Sequence, residues 1–174
     1  MQWTTLFAAT AITLFSAAVL ADEATVTMHK IDEKGVSDAI GMIKLTDSTQ
    51  GLVVTPNMTG LAPGPHGFHV HENHDCGAKE KDGKMIAGLA AGGHFDPNKA
   101  GTHEGPTGHG HMGDLAVLEV DTNGSATKAM TIARLKLADV KSRSIMIHDG
   151  GDNYADQPKP LGGGGGRIAC GLID

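Results

Sequence analysis

Residues 67 to 77 read GFHVHENHDCG, with His69 and His71 two apart and His74 and Cys76 close behind. Alternate side chains of a strand share one face, so His69 and His71 can grip one object between them. A metal ion is the object that imidazoles suit. Further histidines stand in short distinctive contexts: His94 in GGHFDP, His103 in THEGP, His111 with Asp114 in HMGDL, and His148 in IMIH. Neutral imidazole suits copper and zinc, while a carboxylate added to histidines suits zinc better than copper. One group of donors is thus rich in nitrogen alone, and another includes Asp114.

These donors need a scaffold. Short apolar runs recur between turn signals, and none keeps a sustained helical period: ATVTMHKI, AIGMIKL, GLVVTPNM, HGFHVHE, DLAVLEV, ATKAMTI, SIMIHD and RIACGLI. Segments of this kind predict eight short strands in an antiparallel sandwich or barrel. The Asn-Gly pair in DTNGSA, residues 121 to 126, predicts a hairpin turn between the fifth and sixth runs. Leu135, Leu137 and Val140 fit either a short helical turn or an irregular crossover, so residues 133 to 142 are read as a connection. Residues 73 to 113 and 149 to 166 are long, glycine-rich and poor in periodic apolar character. Loops this long in a compact domain are usually functional or disordered, and the histidines in the first favour function.

Residues 6 to 20 form an uncharged apolar run ending in small residues before Asp22. They predict a signal peptide over residues 1–21, cleaved after Ala21, which leaves residues 22–174 as one domain. The short leader before the run carries no Lys or Arg, which keeps a membrane anchor as the alternative, although spanning usually takes roughly 18 to 20 apolar residues. All 14 Lys plus Arg and 20 Asp plus Glu lie after Ala21, for a net charge of −6. That balance argues against nucleic acid or an anionic membrane as the main partner, while leaving room for a local basic funnel. The two cysteines, Cys76 and Cys170, both lie in the exported part and most simply form one disulfide, joining the histidine-rich region to the last strand.

Taken together, GFHVH, GGHFDP, HEGP, HMGDL and LGGGGGRIACG resemble, in order and approximate spacing, the copper/zinc superoxide dismutases, over essentially all of residues 24 to 173. The stretch IHDGGDNYADQPKPLGGGG resembles most the secreted, periplasmic bacterial branch. The resemblance implies an eight-stranded antiparallel Greek-key barrel with two long functional loops, and dismutation of superoxide anion to oxygen and hydrogen peroxide. It implies copper ion at His69, His71, His94 and His148, and zinc ion at His94, His103, His111 and Asp114. His94 would then serve both metals, and would take up a proton that is later delivered to product. Asp152 matches the carboxylate that links a copper-side histidine to a zinc-side one, and Arg167 the arginine that attracts and orients superoxide.

Other residues admit plainer readings. Asp152 sits in GGDN, where turn chemistry alone would suit it. The run Gly162 to Gly166 is either a flexible linker or a tight backbone path beside the metals. Lys79, Lys81 and Lys84 could steer an anion or form a solvated turn that Glu80 and Asp82 partly neutralise. His29, His66, His74 and His109 are left outside the site, with a structural hydrogen bond expected for His66. A rival function is an exported metal-buffering or metal-delivering protein without turnover, for which an anion-orienting Arg167 has no use. The sequence leaves a homodimer open.

Overall fold

A computed structural model describes residues 21–174; the leader expected at residues 1–21 therefore lies almost wholly outside the described residues. Eleven strands account for nearly all regular structure: β1 (Glu23–Asp32), β2 (Gly35–Ser48), β3 (Gly51–Met58), β4 (Gly64–His66), β5 (Phe68–His71), β6 (Lys79–Lys81), β7 (Lys84–Ile86), β8 (Leu118–Val120), β9 (Met130–Ile132), β10 (Arg143–His148) and β11 (Arg167–Ile173). The single α-helical turn among the described residues, α1 (Leu137–Val140), lies within the segment read as a connection. No helix among the described residues is long and apolar enough to cross a membrane.

Seven strands form one curled antiparallel sheet in the order β5-β10-β11-β1-β2-β3-β9, and β4 pairs with β8 beside it. Alternation drives the burial. In β3, Leu52, Val54, Pro56 and Met58 are buried while Thr55 and Asn57 face water. Strand β2 departs from strict alternation at one place. Met28 pairs with Gly41 and His29 with Ala39, which leaves Ile40 as an extra residue. This bulge lets Ile40 and Ile43 both reach the core. Gly41 has φ of 143°, and a Cβ there would run into the Asn57 carbonyl, so glycine is required where the bulged strand crosses β3.

The eight expected strands reappear once β4 and β5 are counted as one bent strand, but two details of the sequence reading need correction. The run HGFHVHE is not continuous. Gly67 donates to the Gly150 carbonyl and accepts from the His148 amide, so β4 turns away to pair with β8 while β5 stays with β10. The Asn-Gly turn does form, with Asp121 Oδ1 accepting from the Asn123 and Ser125 amides, but the strands it joins do not pair with each other. Ala126 bridges instead to Met58, and β9 pairs with β3. The chain leaves the turn for a different sheet because its apolar positions are buried there, which overrides the local hairpin preference.

The first long loop contains a hairpin the sequence reading missed. Asp82 and Gly83 have φ of 53° and 75°, the mirror-image turn that Asp-Gly favours, and they join β6 to β7. Its strands are only three residues each and exposed throughout, so no alternation announced them.

Candidate metal centre

The site is built on the free edge of β5. Phe68 and Val70 point into the main core, and His69 and His71 point to the other face, fully buried. Two loop segments lie along that edge. The Val70 amide donates to the Gly113 carbonyl at 2.9 Å, and the Val70 carbonyl accepts from the Phe95 amide at 2.8 Å. Gly113 in turn donates to the Phe95 carbonyl at 2.8 Å. Backbone pairing thus sets His94 opposite His71 and Asp114 opposite His69. Gly113 permits this approach, since a Cβ there would strike the Val70 carbonyl. On the other side, β10 brings His148 into register with Arg167 of β11.

Two groups of donors result. His69, His71, His94 and His148 offer nitrogens all within 4.8 Å of one another, and so do donors of His69, His94, His103 and Asp114. His69 and His94 fall in both groups, and of the two only His94 has a nitrogen against Asp114; its ring stacks on His69 at 4.0 Å between centroids and lies 5.4 Å from His103 and from His111. His94 Nδ1 lies 2.8 Å from Asp114 Oδ1, leaving Nε2 for the all-histidine side. His111 stands at the margin, its side chain 12% exposed and its Nδ1 3.4 Å from Asp114 Oδ1.

Hydrogen bonds decide which nitrogen of each ring is spare. His69 Nε2 donates to Asp152 Oδ2 and His103 Nε2 to Asp152 Oδ1, both at 2.8 Å. His71 Nδ1 donates to the Gly92 carbonyl at 3.1 Å, and His148 Nδ1 faces the Gly165 carbonyl at 3.4 Å. The opposite nitrogens, His69 Nδ1, His71 Nε2 and His148 Nε2, are buried without a hydrogen-bond partner, and His103 Nδ1 and His111 Nδ1 have only the Asp114 carboxylate beside them, at 3.0 and 3.4 Å and without hydrogen-bond geometry. A buried polar atom without a partner is costly, and five of them converging on two points fit two metal ions.

Charge supports the same division. Burial, reinforced by neighbouring imidazoles, pushes His69 down to about 3 and His148 down to about 4, and holds His71 and His94 below their ordinary value. These rings stay neutral and keep a lone pair for a metal. His103 behaves differently: burial opposes its charge, but Asp114 and Asp152 outweigh burial and raise it to about 9. Both carboxylates, though buried, are held below the usual range by the histidines that donate to them. The zinc-type corner is thus prepared for a cation.

These shifts set how the metal-free protein responds to pH. The four depressed rings take up protons at lower pH in the folded state than in the unfolded one, where they titrate near 6.5. Stability therefore falls as pH drops below 6.5, by up to about 1.4 kcal/mol per pH unit for each ring that is still neutral in the folded state. His103 acts oppositely, its contribution being full below 6.5 and lost as pH rises toward 9. Urea unfolding of the metal-free protein should show a midpoint that peaks near neutrality and declines on both sides. A midpoint unchanged between pH 5 and 7 would contradict the neutral assignment of the buried rings.

Arg167 is held from behind. Its Nη1 donates to the Gly88 carbonyl and its Nη2 to the Gly92 carbonyl at 2.7 Å, the carbonyl that also receives His71 Nδ1. The Gly88–Gly92 turn is anchored by the Cys76–Cys170 disulfide, which closes a separation of 94 residues, and by the Ala90 amide donating to Gly77. Cys76, Cys170, Ile31, Ala91 and Met146 form a small separate core beneath it. The Gly162–Gly166 run is a packed path: a Cβ on Gly162 would collide with the Asp152 carboxylate and approach His103 Nε2 to 2.9 Å. The two ring nitrogens of His66 face the backbone carbonyls of His148 and Ala62 at 2.6 and 2.8 Å, as a structural histidine would. His74 contacts Asp174 away from the donors, and Lys79, Lys81 and Lys84 are exposed on the β6–β7 hairpin. Gly88 and Gly92 carry no side chain, so nothing in the sequence marked their carbonyls as the supports of Arg167 and His71.

A curled β-sheet carrying two adjoining nitrogen-rich donor groups, with His69 and His94 common to both, defines a class of paired-metal protein. Residues 39–173 match the family described as copper/zinc superoxide dismutase. The chain is 52% identical over 149 residues to Cu-Zn superoxide dismutase 2 of Salmonella typhimurium, spanning 85% of this chain and 86% of that one. It is 46% identical over 170 residues to the Cu-Zn superoxide dismutase of Brucella abortus, spanning 97% and 98%. The solved Cu/Zn superoxide dismutase from Brucella abortus superposes with a TM-score of 0.87 at 47% identity, over 88% of this chain and all of that chain. The chain belongs to the copper/zinc superoxide dismutase family, oxidoreductases with copper and zinc as cofactors.

Proposed function

We propose that the chain dismutes superoxide to oxygen and hydrogen peroxide, with copper held by His69, His71, His94 and His148, and zinc by His94, His103, His111 and Asp114. The observation that carries this reading is the set of buried ring nitrogens without partners, each on a ring whose position the fold has already fixed. Bound copper would supply the one-electron chemistry in both directions, and bound zinc a fixed positive charge that does not change oxidation state.

The chain's own residues do the rest. His94 Nδ1 is committed to the Asp114 side at 2.8 Å, so Nε2 is the ring atom that can face copper or hold a proton for the product. Asp152 ties His69 to His103 and so keeps the two metal sites in one rigid frame. Arg167, half-buried and braced by two carbonyls, keeps further N–H donors for a small anion beside His148. Rival metal buffering without turnover has no role for a braced guanidinium at that place.

Export to the periplasm fits the apolar leader and the disulfide. Purified from that compartment, the protein should begin at Asp22 by intact mass, carry copper and zinc, and consume superoxide. Arg167→Ala should keep both metals while the superoxide rate falls at least about tenfold and small anions inhibit less. A metal-loaded protein without superoxide turnover would favour buffering, and an unchanged rate in Arg167→Ala would remove Arg167 from the site.

A further inference from the structure

Arg134 took no part in the sequence reading, yet its guanidinium enters the zinc-side loop. Nη1 donates to the Gly108 carbonyl at 2.8 Å, and Nη2 faces the carbonyls of Gly105 at 3.0 Å, His111 at 2.7 Å and Asp114 at 3.0 Å. None of these four acceptors is a carboxylate. All are backbone oxygens of a loop that lacks regular secondary structure between Gly105 and Asp114, and two belong to the proposed zinc ligands.

The base of Arg134 is rigid. It stands two residues after the end of β9, the Leu135 amide donates to the Ile132 carbonyl at 3.2 Å, and Leu135 and Leu137 are fully buried in the main core. A cation fixed to the barrel thus gathers carbonyls from a loop that would otherwise need other donors for them.

His111 shows why this matters. His69, His71, His103 and His148 each have a ring nitrogen aimed at a carboxylate or carbonyl, which sets ring orientation. His111 Nε2 has no such partner among the described residues, and its Nδ1 has only the Asp114 carboxylate near it, at 3.4 Å and without hydrogen-bond geometry. Its place is set through the backbone instead: the amide donates to the Thr102 carbonyl at 3.0 Å, and the carbonyl accepts from Arg134.

We infer that Arg134 is a positioning residue for the zinc site, holding the Gly105–Asp114 loop so that His111 and Asp114 present their donors together. The role rests on His111 and Asp114 being zinc ligands, as proposed above. It requires the planar fork of a guanidinium, which sets Nη1 on the Gly108 carbonyl and Nη2 on the other three; a lysine ammonium is a single point donor and cannot hold both positions.

The test uses the full-length, copper-loaded protein. Zinc affinity is measured by chelator competition, and the zinc site is also read through the visible bands of cobalt(II) placed there. Arg134→Ala should weaken zinc by about 10- to 100-fold and shift the cobalt bands, while the copper(II) spectrum of zinc-free samples stays that of wild type. Arg134→Lys, which keeps charge and stem and guards against a fold failure of the alanine variant, should fail to restore zinc affinity. His111→Ala serves as reference. Wild-type zinc affinity in Arg134→Ala beside a weakened His111→Ala overturns the positioning role alone. Full rescue by Arg134→Lys, or equal losses of copper and zinc, overturns it as well. Unchanged zinc affinity in both Arg134→Ala and His111→Ala overturns the ligand reading and this role with it.

Discussion

His94→Ala should disturb both metals at once, whereas His148→Ala should mainly weaken copper and His103→Ala mainly zinc. The expectation follows from placement: His94 is the one ring that stacks on the all-histidine group at 4.0 Å and also reaches the Asp114 carboxylate at 2.8 Å. Removing a neighbour that merely orients a ligand costs about 10- to 100-fold in metal affinity, so deleting a shared ligand should cost zinc at least about 100-fold and weaken copper in parallel. The coupling should also be visible in the unmutated protein. A shared imidazole transmits the charge on its zinc side, so removing zinc should change the copper(II) electron paramagnetic resonance signal although every copper ligand remains. An identical signal with and without zinc, together with intact zinc affinity in His94→Ala, would show that His94 serves copper alone.

The second large effect belongs to Asp152, whose two oxygens each accept a ring N–H at 2.8 Å, one from either side of the site. The Tyr154 amide donates to the same carboxylate at 2.7 Å, which fixes it further. Asp152→Ala should leave His69 Nε2 and His103 Nε2 buried without an acceptor and lower the affinity for both metals by about 10- to 100-fold. Asp152→Asn is the sharper variant. An amide keeps the shape but offers only one acceptor oxygen, so one of the two N–H groups must face an NH2. It should therefore hold one metal better than the other, where alanine weakens both. Metal affinities within twofold of wild type in both variants would reduce Asp152 to the turn residue that its GGDN context suggests.

Much of the site was legible because ligand chemistry restricts residue type. Few side chains can bind copper or zinc, so the alternation of His69 and His71 and the short contexts around His94, His103, His111, Asp114 and His148 stood out from a chain with few aromatics. The two cysteines were legible for a similar reason, since an exported chain with only two has one simple use for them. Strand number came from apolar alternation, which burial enforces residue by residue.

Other features depended on which surfaces meet, and a single chain read in order does not contain that. The Asn-Gly turn specified a reversal, but the burial of Ala126 against Met58 and of β9 against β3 decided where the chain went afterwards. The supports of Arg167 and His71 are carbonyls of Gly88 and Gly92, groups every residue possesses, and the reach of Arg134 to four loop carbonyls leaves no periodic trace. The sequence by itself determined the donor types, the two long loops and an antiparallel β scaffold. The tertiary structure alone decided which nitrogen of each ring is spare, because that choice depends on hydrogen-bond acceptors delivered from segments distant in the chain.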